Sequence, residues 1–418
     1  YLIILISYIT SVIFPHNFEH NVILHSIGII SCVFFFKKKL KYNFKFIYLF
    51  PLVFVFHILI FKNHDDFSYY HFPYTFYLTE FKTQLGIGIF SHGFRTPSSI
   101  FYLNSTFYLP FVEFYSFNLG ALIIVVLSNL YFLDKIQISL KISKNKLILF
   151  FSLLSLGLIN IFFYRISEHG TDRSAQILIL IIISEILIYL NKSDNKRFIA
   201  KHLDHLIGIF CLLLLIISLK AFYVLYLVLL LPLIFKVYKN FYSFKTSNIK
   251  KLILFLCTGT VFVFFVFFSY FSNTGCIIYP LKSLCFENVT WAIDIEDVVR
   301  MNNWYQLWSK AGASPNFIVD DPANYIKGFN WVNGWLENYF FNKVSDFILG
   351  LLLMSVIFII IFFEKKKTKQ NFNKNLMLFF IIFILFFEWF YNHPALRYGG
   401  YIVIALLLFL PLSRRLTL

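Results

Sequence analysis

Apolar residues in this chain come in long unbroken stretches rather than in the spaced stripe of a soluble helix. Runs of about 14–20 residues are close to the length needed to cross a hydrocarbon layer roughly 30 Å thick. They fall near 1–14, 22–36, 46–61, 117–133, 147–163, 175–190, 206–219, 221–235, 252–271, 347–363, 375–391 and 399–412. The pattern predicts an all-α, polytopic transmembrane bundle of about twelve spans, forming a single integral membrane domain over 1–418. The first run begins without Met, from which a truncated or processed start is expected. Lys220 is the only break within 206–235.

The stretches between the spans differ in size and charge. Segments 37–45, 134–146, 191–205, 236–251, 364–374 and 413–418 carry about two thirds of the 37 Lys and Arg residues, which marks them as cytoplasmic. Most of the 21 acids fall on the other side. Both termini are then cytoplasmic. Two large extracytoplasmic loops, 62–116 and 272–346, a short loop at 164–174 and a turn at 392–398 carry nearly all the remaining polar chemistry. The net charge of +16 sits in short clusters between apolar runs, so it reports topology and gives no support to nucleic-acid binding. The bilayer itself is the first expected partner.

Acids are costly near lipid, so their positions direct attention to His64-Asp65-Asp66, which follows directly on the third apolar run. The aromatic and polar residues from Tyr69 to Lys82 read as an amphipathic helix along the membrane surface. That helix would hold Asp65 and Asp66 at the mouth of a cavity. One aspartate would be a general base for an acceptor hydroxyl or a ligand for a divalent metal, and no cofactor beyond such a metal is implied. Helix capping by an aspartate would need no chemistry at all. Two acids with His64 and His71 exceed what a cap requires.

Further candidates lie on the same outer side. Gly86 to Ser105 combines glycines with His92, Arg95, Ser98 and Ser99, the composition of a tight loop re-entering the bundle with groups for a phosphate or sugar. Asp172 and Arg173 stand at the start of a span, where Arg173 would meet a lipid-linked phosphate or simply pair with Asp172. His393 and Arg397 would add a second cationic contact. Glu185 lies inside a span and should face the bundle interior, most simply as a hydrogen-bonded structural group. Cys32, Cys211 and Cys257 read as small apolar packing residues, whereas Cys276 and Cys285 are external and are disulfide candidates. Five of the six Trp residues fall between 287 and 346, where sugar stacking and interfacial anchoring are equally good readings.

The run Asp65 to His71, the segment Gly86 to Pro110, and Thr274-Gly275-Cys276 through Tyr279-Pro280, Cys285 and Trp291 together resemble an uncharacterised family of bacterial envelope membrane proteins. That family is similar in turn to the GT-C superfamily of polyprenyl-phosphate-sugar glycosyltransferases. The resemblance implies a GT-C-like fold in the bacterial inner membrane and a periplasmic active site. It also implies a polyprenyl-phosphate-linked sugar donor, a glycan, lipid or protein acceptor, and a catalytic acid at Asp65 or Asp66. In this chain the acidic loop follows the third predicted span, where that superfamily has it after the first. A transporter or flippase, or a polymerase or ligase of lipid-linked glycans, is the alternative expectation.

Overall fold

The computed structural model describes residues 1–36, 66–143, 145–163, 170–191, 203–238, 246–314, 316–362 and 373–413. Among them every regular element is helical, and β pairing is confined to an isolated bridge between Cys276 and Cys285. The elements used below are α1 (Leu2–Ile13), α2 (Phe18–Phe36), α3 (Phe72–Glu80), α4 (Ser99–Ser105), α5 (Leu119–Ile138), α6 (Lys146–Gly157), α7 (Asp172–Asn191), α8 (Leu203–Leu219), α9 (Leu231–Tyr238), α10 (Thr246–Thr274), α11 (Ile295–Lys310), α12 (Ser345–Phe362), α13 (Asn373–Asn392) and α14 (Gly400–Ser413).

Apolar helices occupy each predicted span that falls within the described residues; the run 46–61 lies outside them. Among the described residues five helical stretches are long and apolar enough to cross a membrane: Glu113–Lys141, Asp172–Leu190, Lys250–Thr274, Val332–Ile361 and Asn375–Asn392. The remaining apolar helices have 10–17 residues.

The centre of the bundle is α7, which packs against α5, α6, α8, α9, α13 and α14. Ile177, Ile179, Ile182, Ile183, Ile186 and Tyr189 on it are fully buried, so it is covered on every side. Whatever sits at its ends is therefore held by the most enclosed element of the fold. Asp172 occupies its first turn, where a carboxylate also meets the positive end of the helix dipole.

Lys220 proves to be a genuine break. α8 stops at Leu219, Lys220 is extended (φ −159°, ψ 125°), and a 3₁₀ helix over Ala221–Leu230 runs into α9. Pro232 lies in the first turn of α9, at the junction with the 3₁₀ helix.

The segment from α3 to α4 is docked on protein. α3 buries Tyr74, Thr75, Leu78 and Thr79 against α4, every residue of which is buried. α4 is thus enclosed within the bundle, at the end of the Gly/Ser-containing segment 86–105. It is clipped by the α1–α2 turn: Asn21 Nδ2 donates to the carbonyls of His16, Ser105 and Tyr108, and His16 Nδ1 lies 2.7 Å from Ser105 Oγ. Burial pushes the His16 imidazole down to about 3, with His20 adding to the effect. Cys32 and Cys257 are exposed rather than packed inside, because their helices turn those faces outward.

Candidate functional site

Four charged side chains from distant parts of the sequence meet beside the N-terminal end of α7. Arg397 Nη2 lies 3.0 Å from Asp66 Oδ2, and Arg397 Nε lies 3.4 Å from Asp172 Oδ2. Lys220 Nζ lies 2.6 Å from the other oxygen of Asp172. Asp172 thus bridges the two cations, while Arg397 bridges the two acids. The aromatic faces of Trp308 and Tyr398 each lie 5.6 Å from the guanidinium carbon, and Lys220 Nζ is 4.8 Å from the Tyr398 ring. Such contacts add attraction for a cation without neutralising it.

Each member has a rigid mount. Arg397 sits in a turn anchored by three aromatic side chains. Trp335 Nε1 donates to Pro394 O (2.8 Å), Trp389 Nε1 to Ala395 O (2.9 Å), and the Leu396 N–H to Tyr339 Oη (2.8 Å). Gln176 Nε2, one helical turn beyond Asp172, donates to Arg397 O at 2.9 Å. The turn closes at Gly399, whose φ of +97° favours glycine, and a Cβ there would fall 2.6 Å from Tyr226 Oη. Lys220 is fixed by the end of α8, where Ser98 Oγ donates to Leu219 O at 2.6 Å. Asp66 precedes a π-helical turn, Phe67–His71, that leads into α3. This turn lies against His92–Arg95, and a Cβ on Gly93 would fall 2.2 Å from Tyr70 Cβ. Gly93 is what allows the close approach.

The capping role considered for the aspartates does not describe Asp66. Its side chain makes no capping hydrogen bond to that turn and is drawn instead to Arg397. Asp65 and His64 lie outside the described residues.

Neutral imidazoles surround the charges. Burial pushes His71 down to about 4 against the pull of Asp66, and its Nε2 has no hydrogen-bond partner among the described residues. Burial, aided by Lys310 and Lys220, likewise holds His393 at about 4. With both imidazoles neutral, Asp66 and Asp172 balance Arg397 and Lys220. An anion arriving there would meet a balanced site and would have to compete with the carboxylates for the cations.

Other sequence candidates fall elsewhere. Arg95 does not join the cluster. Its Nε donates to Gly88 O (2.9 Å), its Nη1 to Tyr279 Oη (3.2 Å), and its Nη2 faces Asp297 at 3.9 Å. It ties the Gly88–Arg95 segment to the loop closed by the Cys276–Cys285 disulfide, which is present as expected. His92 is half-buried 6.2 Å from the Tyr305 ring, and burial together with Arg95 lowers its pKa. Arg173 follows Asp172 but lies within electrostatic reach of Tyr401; the guanidinium on Asp172 belongs to Arg397. Neighbours on a helix point about 100° apart, which separates the two. Trp331 and Trp335 are core residues, whereas Trp308 reaches the cluster.

Lys220 is the residue that sequence reasoning noticed and did not use. Its signal was there: a lone cation in an otherwise apolar stretch needs a partner. Among the described residues no group of three or more His, Cys, Asp or Glu side chains is arranged to hold a metal ion. At Asp66 a guanidinium occupies the place a cation would take, so a divalent ion there would require Arg397 to withdraw.

A second ionic group lies farther along α7. Glu185 meets Lys135 Nζ at 2.8 Å and contacts Tyr131 Oη and His205 Nε2 at short range. The expected hydrogen-bonded role is present, with ion pairing added.

Together these features define an all-helical protein with several apolar helices of membrane-spanning length and a partly buried ionic cluster under an aromatic-rich cap. The family model for the Domain of unknown function (DUF8201) matches residues 1–404, and the chain belongs to that family. No curated protein and no solved structure matches it.

Proposed function

We propose that this chain is a membrane glycosyltransferase of GT-C type that moves a sugar from a polyprenyl-phosphate donor to an envelope glycan, lipid or protein. In this reading twelve helices cross the bacterial inner membrane, both termini are cytoplasmic and the site faces the periplasm. The observation that carries the reading is the meeting of Asp66, Asp172, Lys220 and Arg397 from four separate segments. A carboxylate beside paired cations and half-buried aromatic rings is the minimum set for activating a hydroxyl next to a phosphate leaving group.

The chemistry assigns each residue a task. A donor phosphate binds Arg397 and Lys220, and in doing so takes Arg397 from Asp66. The freed Asp66 carboxylate accepts the proton of the acceptor hydroxyl as that oxygen attacks the anomeric carbon. The carbon–oxygen bond to phosphate breaks, and its electron pair leaves with the polyprenyl phosphate, whose charge the two cations stabilise. Attack opposite the leaving group inverts the anomeric centre. Asp172 holds both cations in place, and His71, neutral beside Asp66, adds no competing charge. Trp308 and Tyr398 offer faces for a sugar ring.

Purified protein in proteoliposomes, given a panel of radiolabelled polyprenyl-phosphate sugars and envelope acceptors, tests the proposal. Transfer that disappears in Asp66→Asn and falls at least about a hundredfold in Arg397→Gln is the expected result, the scale for loss of a positioned acid–base or charge-stabilising group. Full transfer by both variants, or none from any donor by the native protein, refutes it. A flippase reading draws its support from Glu185 with Lys135 and His205, since paired ionisable groups among apolar helices are common in transport pathways. It requires Glu185→Gln to stop lipid translocation.

A further inference from the structure

The turn between α4 and α5 exposes apolar side chains in a way that packing does not explain. Phe111 is fully exposed, and Val112 and Tyr115 are also exposed. The exposure is not looseness. The N–H groups of Val112 and Glu113 both donate to Leu109 O (3.2 and 2.9 Å), and Ser116 Oγ donates to Phe107 O (2.6 Å) and Glu113 O (2.9 Å). Two residues that are not glycine are held in the left-handed region, Phe111 at φ +71° and Glu113 at φ +49°. A backbone conformation disfavoured for an aromatic residue is being used to present that residue outward.

We propose that the Leu109–Tyr115 turn is a fixed apolar wedge seated in lipid where the bundle meets water, with phospholipid hydrocarbon as its partner. The turn overlaps the start of the candidate membrane span Glu113–Lys141, which contains α5, and Phe111 stands just before that span. From Leu109 to Leu133 the only charged residue is Glu113, at the point where a single carboxylate can stay in the headgroup layer. Behind the wedge the aromatic side chains are continuous. Tyr115 and Phe114 rings lie 4.5 Å apart, Phe114 and Phe72 5.9 Å, and Phe72 and Phe67 6.0 Å, which ends beside Asp66. The wedge therefore anchors the segment bearing Asp66 to the bilayer, a role that stands whether or not sugar transfer is the reaction.

Photocrosslinking in nanodiscs of phosphatidylethanolamine and phosphatidylglycerol tests this directly. The substitution Phe111→p-benzoylphenylalanine places the reactive group at the tip, and a fully exposed position leaves folding undisturbed. Leu353, exposed on the apolar α12, sets the level for lipid contact, and Asp320, exposed beside Asp321, sets the level for water. Irradiation should add phospholipid mass at position 111 to at least half the extent seen at 353. Labelling no greater than at 320, or crosslinking to a second copy of the chain in place of lipid, overturns the proposal.

Discussion

Replacing Asp172 with Asn removes one charge from the centre of the cluster while keeping its shape, and two opposite consequences follow. Lys220 and Arg397 lose their shared counter-ion, leaving Asp66 as the only acid among the four. Removing one partner of a buried pair costs roughly 3–5 kcal/mol, because the other charge is left uncompensated. Here the acid is only 6% exposed but its partners are 28% and 34% exposed, so water recovers part of the loss and about 2 kcal/mol is expected. Thermal unfolding in detergent should show the Asp172→Asn variant lowered by about two degrees. The double variant with Lys220→Met should be less destabilised than the sum of the singles, by at least about 1 kcal/mol, because the second change removes one of the stranded cations. Binding should move the other way. A unit charge about 6 Å from a bound phosphate is worth about 3 kcal/mol at an effective dielectric near 20, so even after screening by salt polyprenyl phosphate should bind at least about tenfold more tightly. An Asp172→Asn protein as stable as the native one, with additive singles and unchanged phosphate affinity, would refute the bridging role.

Two further outcomes follow from the same structure. His71 is neutral in the fold at about 4, below the ordinary 6.5, so its contribution to stability is fully present above pH 6.5 and is lost as pH falls towards 4; at pH 5 the loss amounts to about 2 kcal/mol. A pH series of unfolding midpoints should therefore be flatter between 6.5 and 4 in His71→Phe than in the native protein, and equal slopes would show that this imidazole does not titrate against burial. The Cys285→Ser variant should lose about 2–3 kcal/mol, the scale for opening a loop of this length, and should match the native protein measured under reducing conditions; an oxidised native protein no more stable than the variant would show that the bridge does not constrain the cap.

Particular residues show what could be read in advance. Asp66 is legible from the scarcity of acids near apolar runs, and Asp172 and Arg397 from their places at the ends of predicted spans. The Gly/Ser composition before α4 suits its enclosure by the bundle, and the Cys276–Cys285 bridge joins two cysteines that lie outside the predicted spans. Arg95 and Arg173 carry the same signal as Arg397, yet Arg95 faces Tyr279 and Asp297, and Arg173 lies within electrostatic reach of Tyr401. Lys220 appeared only as an interruption between two apolar runs. A charge in such a chain shows that a partner is required without showing which one.

The division has a physical origin. Apolar run length, Lys/Arg asymmetry and the positions of glycine and cysteine act locally, since each is set by transfer of a short segment between water and lipid or by the freedom of one backbone unit. Helical class and candidate spans were therefore written in the sequence. The pairing of Arg397 with Asp66, 331 positions away in the chain, and of Lys220 with Asp172 depends on how the helix ends are arranged around α7. Charges interact through space over a few ångströms, and only the packed bundle decides which ones come that close.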